Sequence, residues 1–150
     1  MILSTLCYLE KEGQYLMLHR VSKKHDVNHD KWIGVGGKFE EGEAPEECLL
    51  REVWEETGYH LVDYQFRGVL TFISSVQEPE YIFVYTSKHF QGEQKTCDEG
   101  DLEWVDKKDI PHLNLWEGDR RMFALLETQN TPFSLKLCYE DDELKNLKEF

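Results

Sequence analysis

Basic residues are scarce in this chain. Seventeen lysines and arginines face thirty aspartates and glutamates, for a formal net charge of −13. That balance argues against a basic patch for duplex nucleic acid and against attraction to an anionic membrane surface. Long apolar runs are missing too: none approaches the roughly 20 residues that cross a bilayer, and no leader-like segment precedes the first strand-like run. Cysteine is limited to Cys7, Cys48, Cys97 and Cys138, widely spaced and with no C-x-x-C pair, so a structural zinc site is not expected. The four read as reduced cytosolic thiols filling small core positions. Low-complexity tracts, repeats and interdomain linkers are absent as well. The expectation is one cytoplasmic domain over residues 1–150, with a core of about 2–139 and a charged helix or frayed tail over 140–150, where Leu144 and Leu147 stand at helical spacing.

What is present concentrates between Gly37 and Tyr59. Pro45 suits a first helical position and Gly58 a left-handed cap, which predicts a helix from Pro45 to Thr57. Projected at about 100° per residue, Leu49, Leu50, Val53 and Trp54 gather on one side, and Glu52, Glu55 and Glu56 on a neighbouring stripe. The stripe is costly. Like charges at these spacings cost about 0.2–0.5 kcal/mol per pair, and acids in a last turn oppose the helix dipole by about 0.3–1 kcal/mol. A divalent cation removes the conflict, and hard oxygen ligands suit Mg²⁺ or Mn²⁺ beside substrate phosphates. A phosphate substrate also fits so acidic a chain best when metal ions mediate the contact.

Gly37, Glu43, Arg51, Glu52, Val53, Glu55, Glu56 and Gly58 stand at the spacing of the Nudix hydrolase signature, and the segment resembles that signature throughout. The one departure is Tyr59, in place of an aliphatic residue. The resemblance implies an α/β/α sandwich with a mixed sheet. It also implies hydrolysis of a nucleoside diphosphate linked to a further moiety, with water attacking phosphorus and Mg²⁺ or Mn²⁺ present. Glu52, Glu55 and Glu56 are then expected as metal ligands, joined by the Gly37 carbonyl, with Glu52 favoured for taking the proton from water. Lys38 is expected to face the phosphates, as the one cation fixed beside the acidic cluster. Glu43 and Arg51 read as a structural clamp. A further carboxylate from a later loop is expected at Glu99, with Asp98, Asp101 and Glu103 as competitors.

Elsewhere, Ile2–Leu9 and Gln14–Arg20 read as a hairpin, and Val21–Lys31 as a flexible polar surface loop within reach of a triphosphate or a base. Trp32–Phe39 reads as a glycine turn. Leu61–Val76 and Tyr81–Phe90 form a second hairpin, the first strand bulged at Gly68. Leu102–Val105 is a short strand, Glu117–Thr128 a helix and Phe133–Tyr139 a last strand. This order suggests a mixed sheet with helices on both faces.

The stretch Trp104–Phe123 is similar to that of MutT-type triphosphatases, which remove oxidised purine nucleotides such as 8-oxo-dGTP. Trp116 matches the position that stacks on the base and Asp119 one of two acids that read it. Gly118 stands where the second acid would be, and Ile33 where that group carries an asparagine at the base. ADP-ribose, dinucleoside polyphosphates and ordinary triphosphates stay open as substrates, and a non-catalytic nucleotide-sensing module is the remaining class. As an assembly, a monomer or a homodimer is expected.

Overall fold

Strand alternation sets the architecture. In β1 (Ile2–Lys11) and β2 (Gln14–His19) successive side chains point to opposite faces, and both faces are apolar. Tyr8, Tyr15 and Met17 join one buried cluster, whereas Cys7, Leu9, Leu16 and Leu18 join another. A sheet apolar on both faces needs a cover on each. The computed structural model, which describes residues 1–150, supplies one helix to each side.

The chain continues through β3 (Trp32–Ile33), β4 (Val35–Lys38), α1 (Pro45–Thr57), β5 (Tyr59–Leu61), β6 (Gln65–Ser74), β7 (Glu80–Ser87), β8 (Phe90–Gly92) and β9 (Asp101–Asp106). A 3₁₀ turn over Lys107–His112 leads to α2 (Glu117–Thr128), β10 (Phe133–Glu140) and β11 (Glu143–Glu149). The main sheet is mixed, in the order β11-β10-β6-β7-β1-β2-β3, with β4 on β1 and β9 on β2. The pairs β1–β7 and β6–β10 are parallel. β1 forks: Ser4–Cys7 pair with β4, and Glu10 and Lys11 with β2. Helix α1 buries Leu49 and Val53 against Cys7 and Leu9 on one side. On the other, α2 buries Met122, Phe123, Leu125 and Leu126 against Tyr8, Leu135 and Leu137. The α/β/α layering expected from the resemblance is the one observed.

Both helices run over the residues expected. Gly58 adopts φ 81° and its N–H bonds to the Trp54 carbonyl, closing α1 as a left-handed cap. The apolar face of α1 is narrower than its projection: Leu50 and Trp54 are 40% and 43% exposed. Trp54 instead stacks on His60, ring centres 4.1 Å apart.

Three readings need correction. Residues 140–150 form neither helix nor tail: Glu140 ends β10, and Glu143–Glu149 make the edge strand β11, antiparallel to β10. Cys138 pairs with Asn146 and Tyr139 with Leu144, leaving Lys145 over as a bulge. The extra residue puts Leu144 and Leu147, three apart, against the same core, so a bulged strand imitates helical spacing. The glycine-rich segment Trp32–Phe39 contains two short strands rather than a turn alone. The long strand Leu61–Val76 is broken after Leu61, the last residue of β5, and resumes at Gln65 as β6; its partner Tyr81–Phe90 likewise ends at Ser87, with Phe90 opening β8. The bulge of β6 does lie beside Gly68, between Phe66 and Gly68. The odd residue there, Arg67, is buried, and its Nη2 donates to the Leu126 and Gln129 carbonyls at the end of α2.

Candidate active site

Helix α1 presents its carboxylates to the strand that precedes it. Glu56, at 7% exposure, accepts a hydrogen bond from the Gly36 N–H at 2.6 Å. A side chain at residue 37 would overlap the Glu52 carboxyl group, so Gly37 is glycine because the helix leans its acid onto that backbone. The Gly37 carbonyl accepts from the Cys48 thiol at 3.4 Å.

Arg51 organises the rest. It grips Glu43 with two hydrogen bonds, 2.7 and 2.8 Å, and donates to the Lys38 carbonyl at 3.1 Å. Its Nη1 donates to Glu52 at 2.7 Å and to Glu55 at 3.3 Å. The like-charge stripe therefore carries its own counter-ion, supplied by the residue read as part of a clamp. The cation bonded into the cluster is Arg51 rather than Lys38, whose side chain is exposed on the cleft wall. Arg51 holds the Glu43 carboxyl at about 2, well below the ordinary range. Burial acts the opposite way on Glu52 and Glu56. It pushes Glu52 up despite Arg51, and pushes Glu56 to about 8, with Glu52 and Glu99 adding like charge.

Across the cleft, Glu99 is held by Arg20 at 3.2 Å and Lys23 at 3.3 Å. Asp98 also lines the cleft, whereas Asp101 and Glu103 lie on β9 outside it. Arg20 simultaneously binds Asp26 at 2.7 Å, and the Asn28 N–H bonds to Asp26 Oδ1 at 3.1 Å. Asn28 Oδ1 in turn accepts from Trp116 Nε1 at 2.8 Å. The polar loop 21–31, expected as a flexible surface segment, is thus tied down at both ends of the cleft. Reading by composition missed Arg20, Asp26 and Asn28. The usable signal was the Asp-x-Asn spacing, which favours a turn closed by the aspartate side chain.

Trp116 sits at the start of α2, 5% exposed, edge-on to Phe72 and Tyr139, with the Lys31 amine 5.0 Å from its ring centre. Asp119, one turn later, is 7% exposed. Burial pushes its carboxyl up to about 7, against Lys31 and Arg120. Ile33 lies nearby on the wall. There is no room for a second acid at Gly118: a Cβ there would meet both Leu137 methyls at 2.7 Å and the Tyr139 hydroxyl at 2.9 Å. One cleft of about 770 Å³ is lined by both sets, Glu52, Glu55, Glu56 and Glu99 with Trp116 and Asp119.

No three carboxylate, imidazole or thiol groups stand close enough to ligate one ion together, since Arg51 draws Glu52 and Glu55 onto its guanidinium. The donor chemistry nonetheless fits a hard divalent cation. The groups are all oxygen, and Glu52 and Glu56 are disfavoured as anions where they stand. His25 and His29 join no such group; His29 Nδ1 bonds to the Lys23 carbonyl. All four cysteines are free; Cys7 and Cys48 fill core positions as expected, whereas Cys97, on the cleft wall, and Cys138 are only half-buried.

Comparison with known proteins bears on the family and the fold. The NUDIX domain family matches residues 3–126. A Nudix hydrolase of Bacillus subtilis, YvcI, is 30% identical over 122 residues, covering 77% of this chain and 72% of its own. The oxidized purine nucleoside triphosphate hydrolase of Mus musculus is 31% identical over 123 residues, covering 81% and 78%. The crystal structure of a MutT protein from Bacillus halodurans superposes with a TM-score of 0.88 at 25% identity, covering 99% of this chain and 97% of that one.

Proposed function

The chain belongs to the NUDIX domain family, and from that premise we propose that this hydrolase converts a purine nucleoside triphosphate to monophosphate and pyrophosphate. Oxidised purines of the 8-oxo-dGTP kind fall within the proposal, as does dependence on Mg²⁺ or Mn²⁺. The observation that carries it is the single cleft joining an acidic end to an aromatic and carboxylate end. Its volume of about 770 Å³ lies within the range of small-molecule sites. The similarity to an oxidized purine nucleoside triphosphate hydrolase over four fifths of the chain supports the same substrate class.

In this reading Glu52, Glu55 and Glu56, with the Gly37 carbonyl and Glu99, hold the divalent ion. When bound, the ion supplies charge neutralisation on the phosphates and lowers the pKa of water. The remaining work belongs to the chain. Arg51 bonds to Glu52 Oε1, which leaves Oε2 to accept the proton from the attacking water. Lys38, exposed on the wall and bound to no carboxylate of the cluster, meets the phosphate oxygens and stabilises charge that develops there. Trp116 and Asp119 receive the base, with Ile33 as an apolar neighbour. Glu43, Arg51 and Gly58 hold the loop and helix in register.

A hydrolysis screen with Mg²⁺ tests this: 8-oxo-dGTP, dGTP, other nucleoside triphosphates, ADP-ribose and diadenosine polyphosphates, with products identified by mass. Preference for a purine triphosphate with release of pyrophosphate is the expected result. Preference for ADP-ribose, or equal rates on all triphosphates, would reject the base pocket while leaving the Nudix chemistry.

A further inference from the structure

We infer that Asn28 is a specificity-determining residue of this cleft: its side-chain Nδ2 donates a hydrogen bond to an acceptor on the edge of a 6-oxopurine base, next to Asp119, which accepts from the same edge. The inference rests on the reading of the cleft as a nucleotide site. The orientation of the amide comes first. Asn28 Oδ1 faces Trp116 Nε1 at 2.8 Å, and an indole nitrogen can only donate. The oxygen is therefore fixed on the indole, and Nδ2 is turned away from it. Nδ2 makes no hydrogen bond within the protein, and Asn28 lines the cleft.

The amide is also held rigidly. The Asn28 N–H bonds to Asp26 Oδ1 at 3.1 Å, and its carbonyl accepts from the Lys31 N–H at 2.9 Å. Asp26 is gripped by Arg20 Nε at 2.8 Å and Nη2 at 2.7 Å. A loop side chain pinned at three points is presented, as a residue on a strand would be.

The other residue bonded to Trp116 supplies the complementary half. Asp119 is 7% exposed, lines the same cleft, and its carboxylate has no hydrogen-bond partner. Its backbone N–H bonds to the Trp116 carbonyl at 2.9 Å. The free donor and the free acceptor thus hang from opposite ends of one residue, Trp116. A buried carboxylate left without a partner is costly, and a ligand edge satisfies it. A guanine-type edge offers the O6 acceptor beside N–H donors, whereas an adenine-type edge places an amino donor where O6 would be. A donor from Asn28 with an acceptor from Asp119 suits the first arrangement.

The test uses the whole chain and two variants. Asn28→Asp keeps an oxygen for the Trp116 indole and replaces the donor with an acceptor of the same size. Asn28→Ala removes both. Binding of dGMP and dAMP is measured by titration calorimetry, and kcat/KM is measured for dGTP, 8-oxo-dGTP and dATP. The wild type is expected to favour the guanine-type compounds. Asn28→Asp is expected to lower that preference about ten- to a hundredfold, with the change in KM rather than kcat. Asn28→Ala is expected to lower it by a smaller factor. An unchanged ratio in Asn28→Asp overturns the inference and leaves Asn28 as a strut for Trp116. A wild type with no base preference in binding overturns it too. If the wild type binds dGMP over dAMP in an Asn28-dependent way but hydrolyses no triphosphate, the proposed reaction fails and the inference stands.

Discussion

The two ends of the cleft each bury an acid, and the company each acid keeps differs. Glu56 lies on the Gly36 backbone with Glu52 and Glu99 as neighbours, so burial and like charge both push it up, to about 8. Asp119 is pushed up by burial alone, to about 7, and Lys31 and Arg120 pull the other way. The first end has hydrogen bonds in place, and its acids outnumber the cations, Arg51, Arg20 and Lys23, that are paired with them. The second has cations nearby and is short of hydrogen-bond partners. Under the proposed function the first end suits a cation, and the second a polar, uncharged edge such as a base.

The largest break in that comparison comes from Glu56→Gln. It removes the charge while keeping the Gly36 contact, and kcat is expected to fall by about 10²- to 10⁴-fold with the circular dichroism spectrum unchanged. Retained activity would end the assignment of Glu56 to the metal. Asp119→Asn is the matching change at the other end, expected to alter the ratio of kcat/KM between purine bases by about ten- to a hundredfold. It also sharpens the electrostatic contrast. The native carboxyl titrates at about 7 against an ordinary 3.8. The native state thus holds its proton more tightly, and stability present below about 3.8 is lost as pH rises to about 7. Asp119→Asn should flatten that part of the curve, read by urea unfolding between pH 4 and 8; a curve as steep as wild type would contradict the burial account. Gly118→Asp asks whether a second acid could be added beside Asp119. Its Cβ collides with Leu137 and Tyr139, so a stability loss of about 1–3 kcal/mol is expected by thermal unfolding. Trp54→Gln lies on the outer face of α1, away from both ends, and should change stability by less than about 1 kcal/mol and leave kcat/KM as it was.

The acidic end was legible in the sequence because it is local. One turn and one helix, Gly37 to Gly58, carry Glu52, Glu55, Glu56 and Arg51 at fixed spacing, and both helix boundaries follow from Pro45 and Gly58. The other end is built from a loop, the end of β3, the start of α2, and strands β6 and β10, and no spacing along the chain records that meeting. Trp116 and Asp119 could be singled out, but not that Trp116 is clasped by Asn28 or that Leu137 fills the space at Gly118. Arg51 is the clamp expected of it, on Glu43 and the Lys38 carbonyl, and is also the counter-ion of the acidic stripe; a helical projection sets it beside Glu55 but does not show that its guanidinium also reaches Glu52. β11 was misread because a bulge imitates the spacing of a helix.

The forked strand β1 and its parallel pairing with β7 bear on how the molecule forms. Ile2 meets Glu80 and Phe133 meets Gly68, so two central pairings join segments far apart along the chain. Loop closure over such distances must precede the contacts that reward it, which places folding in the slow, milliseconds-to-seconds range of non-local topologies. Helix α1 and its glycine turn can associate early, but the wall behind Trp116 waits for β10, near the end of the chain. A nascent polypeptide therefore acquires its acidic cluster before it acquires a pocket, and the pocket waits until synthesis has passed β10.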